Sequence, residues 1–97
     1  MQKKELFLEI TDWLELREGD KKCYVVLAKV DNYETLFVEE GMDVVLVRTG
    51  ATRDEEGHIV PTYTFVVLSP TRCTAWVVRQ EGWKLKLVKT VRIYEEQ

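Results

Sequence analysis

Residues 83–93 read Trp83-Lys84-Leu85-Lys86-Leu87-Val88-Lys89-Thr90-Val91-Arg92-Ile93, and their alternation decides the fold class. The odd positions Trp83, Leu85, Leu87, Val91 and Ile93 are apolar, with Lys84, Lys86, Thr90 and Arg92 between them. Successive side chains of an extended chain point to opposite faces, so this pattern predicts a strand whose Trp83, Leu85, Leu87, Val91 and Ile93 face the core. Val88 and Lys89 reverse the alternation midway. A strand this long is about twice the usual length, and a bulge or bend at Val88-Lys89 reconciles its two halves.

Upstream of this strand the chain is a succession of short β-rich runs separated by turn residues. Glu81-Gly82 turns into the final strand from Cys73–Gln80, which Ser69-Pro70-Thr71-Arg72 joins to a strand over Ile59–Ser69. Pro61 lies near the start of that strand, where a missing N–H is tolerated. Met42–Thr49 contains an unbroken Val-Val-Leu-Val centre, which predicts a central strand covered on both faces. Gly50–His58 is the longest polar interval and reads as an exposed hairpin loop. Cys23–Val30 is rich in valine and is followed by Asp31-Asn32, two residues that tolerate positive φ and suit a two-residue hairpin loop leading to a return strand at Thr35–Val38.

Two segments carry competing patterns. Leu6, Leu8, Ile10, Leu14 and Leu16 alternate as a strand, whereas Leu6, Phe7, Ile10, Trp13 and Leu14 form a helical stripe. Residues 32–40 read as a return strand or as a short helix capped by Asn32, with Tyr33, Leu36 and Phe37 on one face. In an otherwise β context the strand is preferred in both. The expectation is a mainly β fold: six or seven antiparallel strands in up-and-down order, closed into a small barrel or folded as two packed sheets. A helix over 3–17 or 32–40 is the alternative at those places.

Ninety-seven residues suffice for one core and not for two, so 1–97 is read as a single domain. With 45% apolar and 32% charged residues, the chain fills a core and still solvates its surface, which sets it apart from disordered chains. Acids at Glu5, Glu9 and Asp12 interrupt any leader-like apolar core, and no run approaches the ~20 residues that span a bilayer, so a cytoplasmic protein without membrane contact is expected. Net charge is −3, unevenly spread: residues 1–58 hold fourteen acids and eight bases, residues 59–97 three acids and six bases. Such an imbalance marks a partner-binding face unless the two halves neutralise each other within one sheet.

Few residues invite chemistry. Cys23 and Cys73 are fifty positions apart with no metal-ligand or redox spacing, and read as small strand residues; a disulfide would require strands two and six to be neighbours. His58 is the only histidine. It sits in the polar loop with Arg53, Asp54, Glu55 and Glu56, whose three carboxylates lack the ligand spacing of a calcium loop. No metal, cofactor or catalytic residue is expected, and the glycines are isolated turn markers rather than a phosphate-binding loop.

The strongest feature is C-terminal. Arg72, Arg79, Lys84, Lys86, Lys89 and Arg92 face a single nearby acid, Glu81, and are interleaved with Trp76, Trp83 and Tyr94. Cations and exposed aromatics along a β surface hold single-stranded nucleic acid by neutralising phosphates and stacking bases. The alternative places the tryptophans in the core and leaves the lysines merely to solvate an outer face. Whether Arg79, Lys84, Lys86 and Arg92 share one exposed face with an exposed aromatic discriminates the two. The preferred reading is a non-enzymatic module acting through protein–protein contacts, as an inhibitor, adaptor or accessory subunit, or as a homodimer formed at a strand edge. Its contacts would come from Arg72, Arg79, Lys84, Lys86, Arg92 and Tyr94, and from the loop Arg53, Asp54, Glu55, Glu56 and His58. Nucleic-acid binding through the C-terminal basic strand is second.

Overall fold

The computed structural model describes residues 8–93, and these form seven strands: β1 (Leu8–Glu18), β2 (Lys21–Val30), β3 (Tyr33–Val38), β4 (Asp43–Arg53), β5 (Ile59–Leu68), β6 (Thr74–Glu81) and β7 (Lys84–Arg92). They make two antiparallel sheets in sequential order, β1-β2-β3 and β4-β5-β6-β7. Two packed sheets, not a closed barrel, are thus the outcome. Residues 8–17 and 32–40 contain no helix; the part of the first segment before Leu8 lies outside the described residues.

Tight hairpins set the registers. Asp31 and Asn32 adopt φ of 54° and 91°, the pair of positive values of the loop type that matches strand twist, so the two residues singled out in the sequence do form the β2–β3 turn. Gly82 opens the β6–β7 loop at φ 59°, and a Cβ there would also approach Val60 at 3.5 Å. The final strand is bulged where its alternation failed: Val77 pairs with Lys89 and Val78 with Leu87, leaving Val88 as the extra residue.

The core lies between the sheets. Leu16, Cys23, Val25 and Leu27 from the first sheet meet Val67, Trp76, Val78 and Leu85 from the second, with Met42 on the connection between them. Leu14, Leu36 and Val38 pack against this cluster. The sheets are also tied by polar contacts: the Trp76 indole N–H donates to the Arg17 carbonyl (3.3 Å), and the Leu85 N–H donates to the Asp12 carboxylate (2.7 Å). Gln80 donates to Glu34 at 2.6 Å. Among the described residues no buried side-chain polar atom lacks a partner, as the cost of burying unpaired polar groups requires.

Three expectations are corrected. Val44-Val45-Leu46-Val47 is not a central strand: β4 ends the four-stranded sheet, and all eleven of its residues are exposed. A continuous apolar run signals cover on both faces only when neighbouring elements supply it, and the three-stranded sheet does not reach β4. The interval Gly50–His58 is shorter as a loop, because β4 continues through Arg53 against Ile59. On β7, Leu85 alone is fully in the core at 7% exposure, whereas Val91 is half-buried and Leu87 and Ile93 are exposed at 39% each. Trp83 is not in the strand but at the hairpin loop, 63% exposed, with the Lys29 ammonium 4.9 Å from its ring centroid. The alternation identified the inward face for Leu85 and Leu87, with Leu87 at the margin of the first sheet's cover, but the extra residue Val88 inverts the faces beyond it, so Val91 lies opposite Ala75 on the outer face and not in the core.

Candidate partner-binding surface

The pairing registers sort the side chains of the four-stranded sheet onto two faces. On the inner face Trp76, Val78 and Gln80 of β6 lie beside Val67, Phe65 and Tyr63 of β5. On the outer face Thr64 stands between Arg48 and Arg79, and Arg79 lies opposite Lys86; Glu81 lies opposite Lys84, and Val77 opposite Lys89. Arg79, Lys84 and Lys86 therefore do share one face with Lys89 of the same cluster, and the fold adds Arg48 to them. Arg48 was missed because nothing in the sequence brings residue 48 beside residue 79 until β5 is laid between them. Glu81 is the nearest counter-charge, 3.8 Å from the Arg79 guanidinium. No aromatic side chain occupies this outer face among the described residues, since Trp76 is fully buried and Trp83 sits beneath Lys29 at the hairpin.

The other predicted contact residues separate from this cluster. Arg72 lies in the β5–β6 turn at φ 65° and pairs with Asp43 at 2.6 Å, which fixes that turn to the start of β4. Arg92 is opposite Thr74, on the inner side of its strand and away from the lysines. Tyr94 lies outside the described residues.

The acidic loop closes on itself. One Asp54 carboxylate oxygen accepts the N–H groups of Glu56 (3.0 Å) and His58 (2.8 Å), and the Arg53 guanidinium donates to the Gly57 carbonyl (2.8 Å). The His58 imidazole lies 3.4 Å from Glu56 and 3.7 Å from Asp54. Asp54 is occupied in shaping the turn, and no group of acids, histidines and cysteines among the described residues is arranged to hold a metal. Both cysteines are free. Cys23 is buried, and burial together with the Glu39 and Glu18 charges pushes its thiol pKa upward, which suppresses thiolate chemistry.

On the opposite side of β4 the sandwich is open. β1 closes one flank of the molecule against β7 through Asp12 and Leu85, but β3 and β4 both present free edges on the other. Between them runs a groove of about 590 Å³ with Tyr33, Leu36, Val44, Leu46, Tyr63 and Phe65 among its lining residues. No family model, curated protein or solved structure matches the chain. Its function has to be read from this surface alone: an unpaired apolar edge strand, an apolar groove on one side and a row of cations on the other.

Proposed function

We propose that the protein is a non-enzymatic binding module that captures an extended segment of a partner protein by adding it as a strand to the free edge of β4. The observation that carries this reading is the complete exposure of β4 at the end of a four-stranded sheet. Free edges of this kind are normally shortened, charged or covered, because their unpaired N–H and C=O groups recruit other strands. Here Val44, Val45, Leu46 and Val47 leave the edge apolar.

The two sides of β4 set the chemistry of the partner. An added strand would direct alternate side chains to opposite faces of the sheet. One set would enter the groove beside Val44, Leu46 and Phe65, and the other would lie over the outer face with Arg48, Arg79, Lys86 and Lys89. A segment alternating apolar with acidic residues satisfies both. An inhibitor, adaptor or accessory subunit would act in this way.

Single-stranded nucleic acid is the second reading, favoured by the grouping of Arg48, Arg79, Lys84, Lys86 and Lys89 on one face. It lacks the stacking platform that such binding uses, since that face carries no aromatic among the described residues. Titration of the isotope-labelled protein with a valine–glutamate alternating peptide and with its valine–lysine counterpart tests the proposal. The acidic peptide should perturb and protect the amides of Val44–Arg48, and the basic one should not. Absence of any shift along β4 at millimolar acidic peptide would rule the proposal out.

A further inference from the structure

The first sheet has an outer face that the fold leaves uncovered. By register Leu8, Ile10 and Trp13 of β1 lie across from Val30, Ala28 and Val26 of β2, which in turn lie across from Tyr33, Thr35 and Phe37 of β3. Leu8, Ile10, Trp13 and Tyr33 are each more than half exposed, Tyr33 at 77%, and Phe37 is close to half. Trp13 and Tyr24 pack ring to ring on this face at 6.0 Å. Together the exposed side chains present an apolar patch on the order of 600 Å², at the upper limit of what a typical monomer leaves in water. From Cys23 onward β2 reads Cys-Tyr-Val-Val-Leu-Ala-Lys-Val, largely apolar on both faces, yet the second sheet covers only the face of Cys23, Val25 and Leu27.

We infer that this face is the interface of a homodimer, in which a second copy of the chain covers the patch by stacking its own first sheet face to face. Two observations select a second copy. The charges on the face are few and clustered: Glu15 lies 3.6 Å from Lys22 and 3.5 Å from Arg17, one carboxylate between two cations. Desolvation raises the Glu15 pKa, but Lys22, the Tyr24 hydroxyl and Arg17 together bring it below its ordinary value. Two identical faces therefore meet with one surplus cation each at the margin of an apolar patch, whereas the outer face of the second sheet, with Arg48, Arg79, Lys84, Lys86 and Lys89 against Glu81, would repel its own copy far more strongly. The area is sufficient, because about 600 Å² of apolar surface per chain plus a polar rim reaches the standard interface of roughly 800 Å² per partner.

This interface lies on the sheet opposite β4 and shares only Tyr33 and Thr35 with the groove, so the remaining residues test the dimer and the strand-capture surface separately. Sedimentation velocity of the full chain over a hundredfold concentration range should give a dimer at micromolar concentrations. Leu8→Lys and Ile10→Lys change exposed positions outside the groove, and each should raise the dimer dissociation constant by roughly 30-fold or more, with an unchanged far-ultraviolet circular dichroism spectrum. Val45→Glu on β4, which sets a carboxylate among the cations of the outer face, should leave the dimer intact while weakening the acidic peptide. A wild-type chain that stays monomeric throughout the range would overturn the inference. So would a dimer that Val45→Glu dissociates and Ile10→Lys does not. Loss of peptide binding with the dimer preserved would leave this inference standing and bear on the capture site alone.

Discussion

Leu85 and Leu87 occupy equivalent places in the alternation of the last strand, yet the fold treats them differently. Leu85 is 7% exposed and belongs to the core cluster, in contact with the layer formed by Leu16, Leu27, Val78 and Trp76. Leu87 is 39% exposed on an edge strand beside the Val88 bulge. Truncating Leu85 to alanine removes most of a buried side chain and leaves a cavity lined by its neighbours, for which about 2–5 kcal/mol is expected. At Leu87 the lost methyl groups are already partly in water and no closed cavity results, so about 1 kcal/mol is expected. Urea denaturation at one fixed chain concentration, followed by tryptophan fluorescence, measures both. With m of about 1–1.5 kcal/mol/M for a chain of this size, Leu85→Ala should lower the midpoint by more than about 1.3 M and Leu87→Ala by about 1 M or less, with m unchanged. Equal midpoint losses would show that β7 is covered along its whole length and that the edge assignment is wrong. Lys84→Ala, on the outer face, should shift the midpoint by much less than either.

The remaining predictions address charge and partners. The hydroxyls of Ser69 and Thr74, with Thr71 donating at 2.9 Å, hold the Glu18 carboxyl below its ordinary value of 4.5 against desolvation. A depressed folded-state pKa adds stability that is complete above 4.5 and is lost as pH falls through the folded value. Glu18→Gln should therefore flatten part of the acid limb of the stability profile below that pH, and a limb of unchanged slope would refute the linkage. Single-stranded DNA or RNA should bind no tighter than about micromolar at physiological salt, because the outer face offers cations without a stacking surface. A submicromolar complex by fluorescence anisotropy, weakened by Lys84→Ala with Lys86→Ala and showing a steep salt slope, would favour nucleic acid over a protein partner. Reversing Lys86 and Lys89 to glutamate should reduce affinity for the acidic alternating peptide and remove its salt dependence, while leaving the far-ultraviolet spectrum unchanged.

The mainly β class, the sequential antiparallel order, the Asp31-Asn32 hairpin and the irregularity at Val88 were legible in the sequence. Each follows from local physics: side chains of an extended chain alternate between two faces, Asp and Asn tolerate positive φ, and one extra residue inverts the alternation. Arg79, Lys84 and Lys86 could be recognised as a basic group for the same reason, since they lie on two strands joined by a two-residue loop. The sequence could not say how far each sheet is covered. Val44–Val47 reads as buried and is exposed, while Leu85 and Leu87 read alike and differ, because burial depends on whether the other sheet extends over that position. Three strands over four leave β4 without a partner layer, and only the packing of the sheets reveals it. Arg48 joined the basic face, and Arg72 left it to pair with Asp43, through neighbours distant in sequence. Period and turn chemistry are properties of adjacent residues; edges, grooves and uncovered faces exist only once the two sheets have been placed against each other.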